Sequence, residues 1–509
     1  MQNNPAEDLR ARTQENSDVN PSKDAPPATG GHSQPSPAET GLFVEGRWFQ
    51  TDSRFPVVDK FSGETIAEVA SAGAEDVARA VAFCHAAFSD GVPPPHRRAD
   101  ILHRAATLVE QDRGAFEAGI VAESGFTRSD AAGEVNRCIQ TLTVSAEEAR
   151  RFEEGEVVPL GGAPGHDGRL AFTLRVPIGV VAAITPFNSP LNTVAHKVAP
   201  AFAAGNPVVL KPAAYTPLTA ARLCQVMLDA GMPSGFLALI QGAGSKVGAA
   251  ILAQPDVRFF TFTGSTEVGL RIQQVAGLRR TQLELGSIAF TILMGDADLD
   301  RSLPLIVGAC FRKAGQVCTS IQTLLVQDAV ADEVKDRMSE LARQAKFGDP
   351  RDADTLVGPM ISSDAAARAT AWTNEAIDAG ARLLAGGDAA GAKMPPTVLT
   401  DVPSGARVLT EEVFAPVVSV VPFTSVDEAI ASVNATPYGL ATGVFTRDIG
   451  HALAMARGLQ VGGVHINNTC SSRVDLMPYG GVKDSGFGKE GPRYAMREMS
   501  DERLITITP

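Results

Sequence analysis

The sequence predicts an α/β protein made of two doubly wound parallel-sheet units, a small β arm and a disordered N-terminal tail. Three observations carry this. Short apolar runs alternate with helical stretches from Gly179 onward, the alternation restarts after Gly286, and two strand-like segments are left over from both series.

Residues 1–40 are rich in Pro, Ser, Asn, Gly and charge and nearly devoid of branched apolar or aromatic side chains. Such a segment cannot offset the entropy of ordering, so it is read as a disordered tail. A β-like entry, LFVEGRWFQ (42–50), then precedes two long segments of helical periodicity near 74–90 and 96–124. GVVAAI (179–184), PVVLK (207–211), FLALIQ (236–241) and VRFFTFTG (257–264) alternate with helical stretches opened by Pro, Ser, Thr or Gly. That spacing is the pattern of βαβ units on a parallel sheet covered on both faces. The second series runs through FTILMG (290–295), a helix reaching Lys313, TLLVQ (323–327), a helix from Asp332 to Lys346, and later PVVSVVPF, LATGVFT and VGGVHIN. The expected units are therefore 41–155 with 179–286, and 287–492. GRLAFTLRVP (168–177) and DERLITITP (501–509) fit neither, and fall in an arm of 156–178 and 493–509. Two leftover strands could pair with each other and seek a partner's sheet edge, so a homodimer or homotetramer is expected.

The chain has 509 residues, 44% of them hydrophobic, and a formal net charge of −13. The acidic balance argues against nucleic acid as a partner. Six cysteines without CxxC spacing fit neither a disulfide framework nor a zinc site, so no metal is expected. No apolar leader or membrane-length run is present, and a soluble cytoplasmic protein is the reading.

Among the cysteines only Cys318 sits in a segment of turn and hydroxyl residues, KAGQVCTS (313–320). An isolated cysteine is more often a small buried hydrophobe. Here the neighbours suggest an accessible thiol near the start or bend of a helical element, where a thiolate forms more easily. A thiol attacking a carbonyl needs an oxyanion donor and a base. Asn188, after the strand GVVAAI, lies where ligands collect in doubly wound sheets, although an Asn there is more often a turn former. Glu284, between Leu283 and Leu285 at a strand end, would have its pKa raised toward that of a general base; a strand-edge Glu facing water is the plainer alternative. GSTEVG (264–269) follows a strand and opens a helix, which allows backbone to approach a phosphate, or makes only a tight turn. Lys211 is either a snorkelling surface lysine or a ligand contact.

Together TPFNSPLN (185–192), KPAAYTPLTA (211–220), FTGSTEVG (262–269), LELG (283–286), GQVCTS (315–320), EEVFAPV (411–417) and PYGGVKDSGFGKEG (478–491) resemble the aldehyde dehydrogenase superfamily from about Leu42 to Pro509. The resemblance is to its non-acylating, NAD(P)-dependent members, and in look to the lactaldehyde, phosphonoacetaldehyde and semialdehyde branch. It implies that Cys318 is the nucleophile, that the Asn188 side chain and the Cys318 N–H hold the oxyanion, and that Glu284 activates the water that hydrolyses a thioester. It makes the first unit a cofactor-binding domain, the second a catalytic domain and the strands an oligomerisation arm. For NAD or NADP it implies Thr185, Pro186, Phe187, Lys211, Gly244, Gly248, Gly264, Ser265, Gly269, Leu285, Glu412 and Phe414.

Where many NAD-preferring relatives carry Glu, this chain has Ala214, which removes repulsion toward a 2′-phosphate and opens NADP use. Ser287 replaces the second glycine of the common LELGG. Ser189, His196 and Arg473 stand at substrate positions that are usually large and aromatic, and a guanidinium there suits a short polar or anionic aldehyde. Val317 and Thr319 flank the nucleophile on the substrate side, and Val317 stands where relatives that bind phosphorylated or phosphonate substrates often carry Arg, so a carboxylate is better supported than a phosphoryl group. The alternative for Arg473 is a structural ion pair with Asp475 or another acid. Rival readings are an acylating enzyme that passes the thioester to coenzyme A, a thiol esterase, and a non-catalytic binding protein on the same fold; Glu284, Lys211 with Glu412, and the complete set Cys318, Asn188 and Glu284 speak against them in turn.

Overall fold

Two largely parallel sheets organise the molecule, seen in a computed structural model that describes residues 36–508. The first has eight strands in the order Gly486–Phe487, Arg280–Glu284, Val257–Thr263, Val180–Ile184, Val208–Lys211, Leu237–Leu239, Leu42–Val44 and Arg47–Phe49. Its five central strands are parallel, and the flanking strands pair antiparallel. The central strands are buried on both faces, as their continuous apolar runs require. The second sheet orders Arg382–Ala385, Thr397–Thr400, Val417–Phe423, Ile321–Gln327, Ala289–Leu293, Ala441–Phe445 and Gly463–Ile466, all parallel except the first. Gly486–Phe487, although late in the chain, closes an edge of the first sheet beside Arg280–Glu284.

The leftover strands pair with each other as expected: Leu170–Pro177 runs antiparallel to Ser500–Ile507 from Pro177↔Ser500 to Leu170↔Ile507, and Val157–Val158 adds a third strand.

Three expectations change. Residues 1–35 of the expected tail lie outside the described residues, but Pro37–Thr40 forms a helical turn with a Ser36/Glu39 capping box, and buried Glu39 pairs with Arg222. An ion pair and a cap supply what composition did not. The expected helix 96–124 is two helices, Pro95–Gln111 and Arg113–Ser124, broken at Asp112. A further helix, Arg128–Ala149, was not anticipated; Thr127 caps it, and its buried face includes Glu134 and Thr141, polar residues that blunt the apolar periodicity.

Candidate active site

In the first sheet the chain leaves Val180–Ile184 toward Val208–Lys211 and later returns on its other side as Val257–Thr263. The carboxyl ends of these two neighbours form the switch-point crevice where doubly wound sheets hold ligands. Thr185, Pro186, Phe187 and Asn188 leave from one strand, and Gly264 and Ser265 from the other. Ser265 caps the helix Thr266–Ala276 through its hydroxyl on the Val268 N–H, which fixes the positive helix end at the crevice. Lys211 is buried rather than snorkelling; its Nζ donates to the Pro212 carbonyl, and burial pushes it down to about 8. Ala214, three residues on, brings no carboxylate. At Gly244 and Gly248 an added Cβ would meet open space, so the surface there is unobstructed. A Cβ on Gly269 would lie 2.3 Å from buried Leu285, so glycine there lets the helix approach the end of the strand.

Further along, Ser287, Gly315, Val317, Glu412 and Phe414 help line a cleft. The Ser287 N–H donates to Glu412 Oε1 (2.9 Å), and burial pushes the Glu412 carboxyl up to about 7. Phe187 meets Phe414 edge-on at 5.9 Å. The hydroxyls of Thr185 and Ser287 are buried without a partner. Orphaned polar groups, an acid-free ammonium and a capped helix end are what a bound dinucleotide would satisfy, so the residues present fit one.

Cys318 follows the helix Leu299–Phe311 through a short helical turn and precedes the strand Ile321–Gln327. Lys313, Ala314 and Gly315 are all left-handed (φ 52°, 53° and 67°). A Cβ on Gly315 would sit 2.1 Å from the Ala415 carbonyl oxygen, so only glycine fits. The thiol is half-buried and not at a helix start. This corrects the expected easy thiolate: burial, with Glu284 and Glu412 nearby, pushes it up to about 11, against the lowering by a Tyr479 hydrogen bond and Arg473. The other five cysteines are buried.

The structure brings Asn188 to this loop. Its Nδ2 donates to the Gln316 carbonyl (2.9 Å), and Lys313 Nζ donates to the Asn188 carbonyl (3.0 Å) and to Glu134 Oε2 (2.8 Å). Glu134 in turn accepts from Ser189 Oγ (2.5 Å) and the Asn192 N–H (2.9 Å). A buried ion pair thus ties the Asn188 loop to the Cys318 loop. Sequence reasoning missed both partners, because a Glu inside a helix and a Lys in a loop carry no local mark of pairing.

Glu284 ends the strand Arg280–Glu284, is 3% exposed, and has both carboxylate oxygens buried without partners. Burial, followed by repulsion from Glu490, raises its pKa well above the usual carboxylate range. That excludes the water-facing alternative. Glu490 bonds Lys197 Nζ (3.1 Å) and Arg473 Nη2 (2.7 Å), and these cations hold it far below the ordinary value despite its burial. Arg473 lies 3.9 Å above the Tyr479 ring, whose hydroxyl is 3.0 Å from Cys318 Sγ, and its Nε is buried without a partner. Nothing local in PYGG marks Tyr479; only the folded loop puts its hydroxyl on the sulfur.

Of the other expected substrate residues, Ser189 spends its hydroxyl on Glu134 and His196 is buried with Nε2 on Asp475 (2.8 Å), so both are supporting groups. Thr319 is buried against Ser471, and Val317 lines the cleft. Asp475 pairs with Arg137 (2.7 Å), while Arg473 takes Glu490.

A crevice whose residues fit a dinucleotide, a thiol whose loop is bonded by the Asn188 amide, and a buried Glu284 carboxyl close enough to act on the sulfur by charge suit a thiol-dependent oxidoreductase. The family profile described as "Aldehyde dehydrogenase family" matches residues 48–505, and the chain belongs to that family. It is 43% identical over 467 residues to a 3-sulfolactaldehyde dehydrogenase of Priestia aryabhattai, covering 92% of this chain and 98% of that one. Aldehyde dehydrogenase 21 of Physcomitrella patens, solved with its product succinate, superposes with a TM-score of 0.89 at 34% identity, covering 92% and 98% of the two chains. A glyceraldehyde-3-phosphate dehydrogenase of Methanocaldococcus jannaschii, solved with NADP, gives 0.86 at 35%, covering 90% and 100%.

Proposed function

We propose that this enzyme oxidises a short aldehyde bearing a carboxylate or sulfonate to the corresponding acid. The carrying observation is Arg473: it stacks on the tyrosine that touches the thiol and retains a buried Nε–H with no acceptor. An anionic group on the substrate would accept that hydrogen bond. The P. aryabhattai relative is named for a sulfonated aldehyde and the P. patens structure holds a carboxylate product, which supports the same substrate class.

Cys318 sulfur bonds to the carbonyl carbon, and the resulting oxyanion is held by the second N–H of the Asn188 amide and by the Cys318 N–H. NAD or NADP in the crevice would supply the acceptor for the hydride. Lys211, Ser265, Thr185, Glu412 and Phe414 would hold that dinucleotide. Glu284, with both oxygens free, takes a proton from the water that attacks the thioester, releasing the acid and restoring the thiol. The first unit would then serve the cofactor and the second the chemistry. Six unpaired thiols support a cytoplasmic setting, and exposed Leu170, Leu504 and Ile507 on the three-stranded arm support a homodimer or homotetramer.

A kinetic screen of short neutral and anionic aldehydes against NAD and NADP tests this, with Arg473→Leu alongside. Arg473→Leu should raise KM for the anionic aldehyde at least about tenfold more than for a neutral one of equal length, the value of a charged hydrogen bond. Equal effects on both would refute the anionic substrate.

A further inference from the structure

We propose that Tyr479 is a catalytic residue: its hydroxyl donates a hydrogen bond to the Cys318 sulfur and stabilises the thiolate. The proposal rests on Cys318 being the nucleophile. The oxygen lies 3.0 Å from Sγ. Either atom can donate while the thiol is protonated, but a thiolate can only accept, so ionisation fixes Tyr479 as donor and turns a neutral contact into a charge-assisted one. Burial and the neighbouring sulfur push the phenol well above its ordinary pKa, so it keeps its proton throughout. No bond forms or breaks at the tyrosine; the proton lost by the thiol goes elsewhere.

The placement of the hydroxyl is built in. The Tyr479 N–H donates to the Glu490 carbonyl (3.1 Å) and the Glu490 N–H to the Tyr479 carbonyl (2.7 Å), which anchors the backbone on both sides. The ring is capped by the Arg473 guanidinium at 3.9 Å, Arg473 is pinned by Glu490, and Glu490 by Lys197. Next in the chain, a Cβ on Gly480 would lie 2.6 Å from Glu284 Oε1. One short loop therefore aims a donor at the sulfur and leaves room for the carboxyl that acts after it.

The thiolate needs such a donor here. The groups that face the sulfur are Glu284 and Glu412, which disfavour its negative charge, and Tyr479 and Arg473, which favour it. Of the two, Tyr479 is the one hydrogen-bonded to the sulfur, while Arg473 gives its Nη2 to Glu490.

Tyr479→Phe keeps the ring under Arg473 and removes only the oxygen. The measurement is the rate of iodoacetamide alkylation of Cys318 against pH, read by peptide mass in the full-length enzyme with and without NADP, together with the unfolding temperature. A charge-assisted hydrogen bond predicts a midpoint raised by about one pH unit and alkylation near neutral pH slowed about tenfold, with the high-pH plateau unchanged or faster. The unfolding temperature should hold within a few degrees. A midpoint that does not move overturns the proposal, as does a slower plateau with an unmoved midpoint, which would mean a packing role. If Cys318→Ala still transferred hydride, the nucleophile assignment would fall, while the alkylation midpoint would still decide whether Tyr479 stabilises the thiolate.

Discussion

Lys313→Met tests the joint between the oxyanion loop and the nucleophile loop. Burial alone would raise the Glu134 carboxyl, but the Lys313 charge and hydrogen bond, with Ser189 and the Asn192 N–H, bring it from 4.5 down to about 2. That lowering corresponds to roughly 3 kcal/mol in favour of the charged form, shared among these partners. Methionine leaves Ser189 and the N–H donors in place but strands a buried carboxylate, so about 2–3 kcal/mol of unfolding free energy should be lost near neutral pH, close to the usual cost of breaking a buried pair. The pH dependence has a definite sign. In the wild type the depressed carboxyl contributes stability that is present above about 4.5 and lost as pH falls toward 2. In the variant the carboxyl, buried without its cation, titrates above its ordinary value, so the deficit is largest near neutral pH and shrinks on acidification as the group neutralises. Urea unfolding followed by the fluorescence of Trp48 and Trp372, near neutral pH and about two pH units lower, measures both. Adding Glu134→Gln should restore most of the loss, because no lone charge remains. A variant as stable as wild type at neutral pH, or a deficit equal at both pH values, would refute the pair as described.

Cys318→Ala should abolish hydride transfer while cofactor affinity, read by fluorescence titration, stays within about twofold, since the proposed dinucleotide contacts lie on other residues. Loss of both would place the nucleophile elsewhere. Glu284→Gln should keep a burst of reduced cofactor and lose steady-state turnover by roughly 100-fold or more, the scale of general-base catalysis, with no gain from added coenzyme A. In the wild type, turnover should rise with pH through a value well above 4.5, because Glu284 acts only when ionised and burial holds it neutral at lower pH. Turnover already maximal near pH 5 would contradict that assignment.

Much of the architecture was legible from local pattern. The alternation of short apolar runs with helices places the strands of both sheets, since a parallel strand covered on both faces must be apolar along its length. The leftover strands do pair, Leu170–Pro177 with Ser500–Ile507, because strands need an edge to satisfy their backbone groups. The motif set TPFNSPLN, FTGSTEVG, LELG and GQVCTS named the family, and the fold brings Asn188 to the Cys318 loop and buries Glu284. Less legible were the polar-faced helix Arg128–Ala149 and the turn at Pro37–Thr40, where capping and ion pairs outweigh composition.

What the sequence by itself determined is the order of elements and the identity of the reacting groups, because periodicity and motif spacing are local properties of the chain. What only the tertiary structure decided is the environment of those groups. The expected easy thiolate became a thiol pushed up to about 11, Ser189 and His196 turned to Glu134 and Asp475, and of the acids open to Arg473 the fold supplied Glu490. Glu134 and Lys313 are 179 residues apart, and Tyr479 and Cys318 161. Proton affinities and hydrogen-bond partners depend on burial and on charges a few ångströms away, and those distances are set by packing between remote segments.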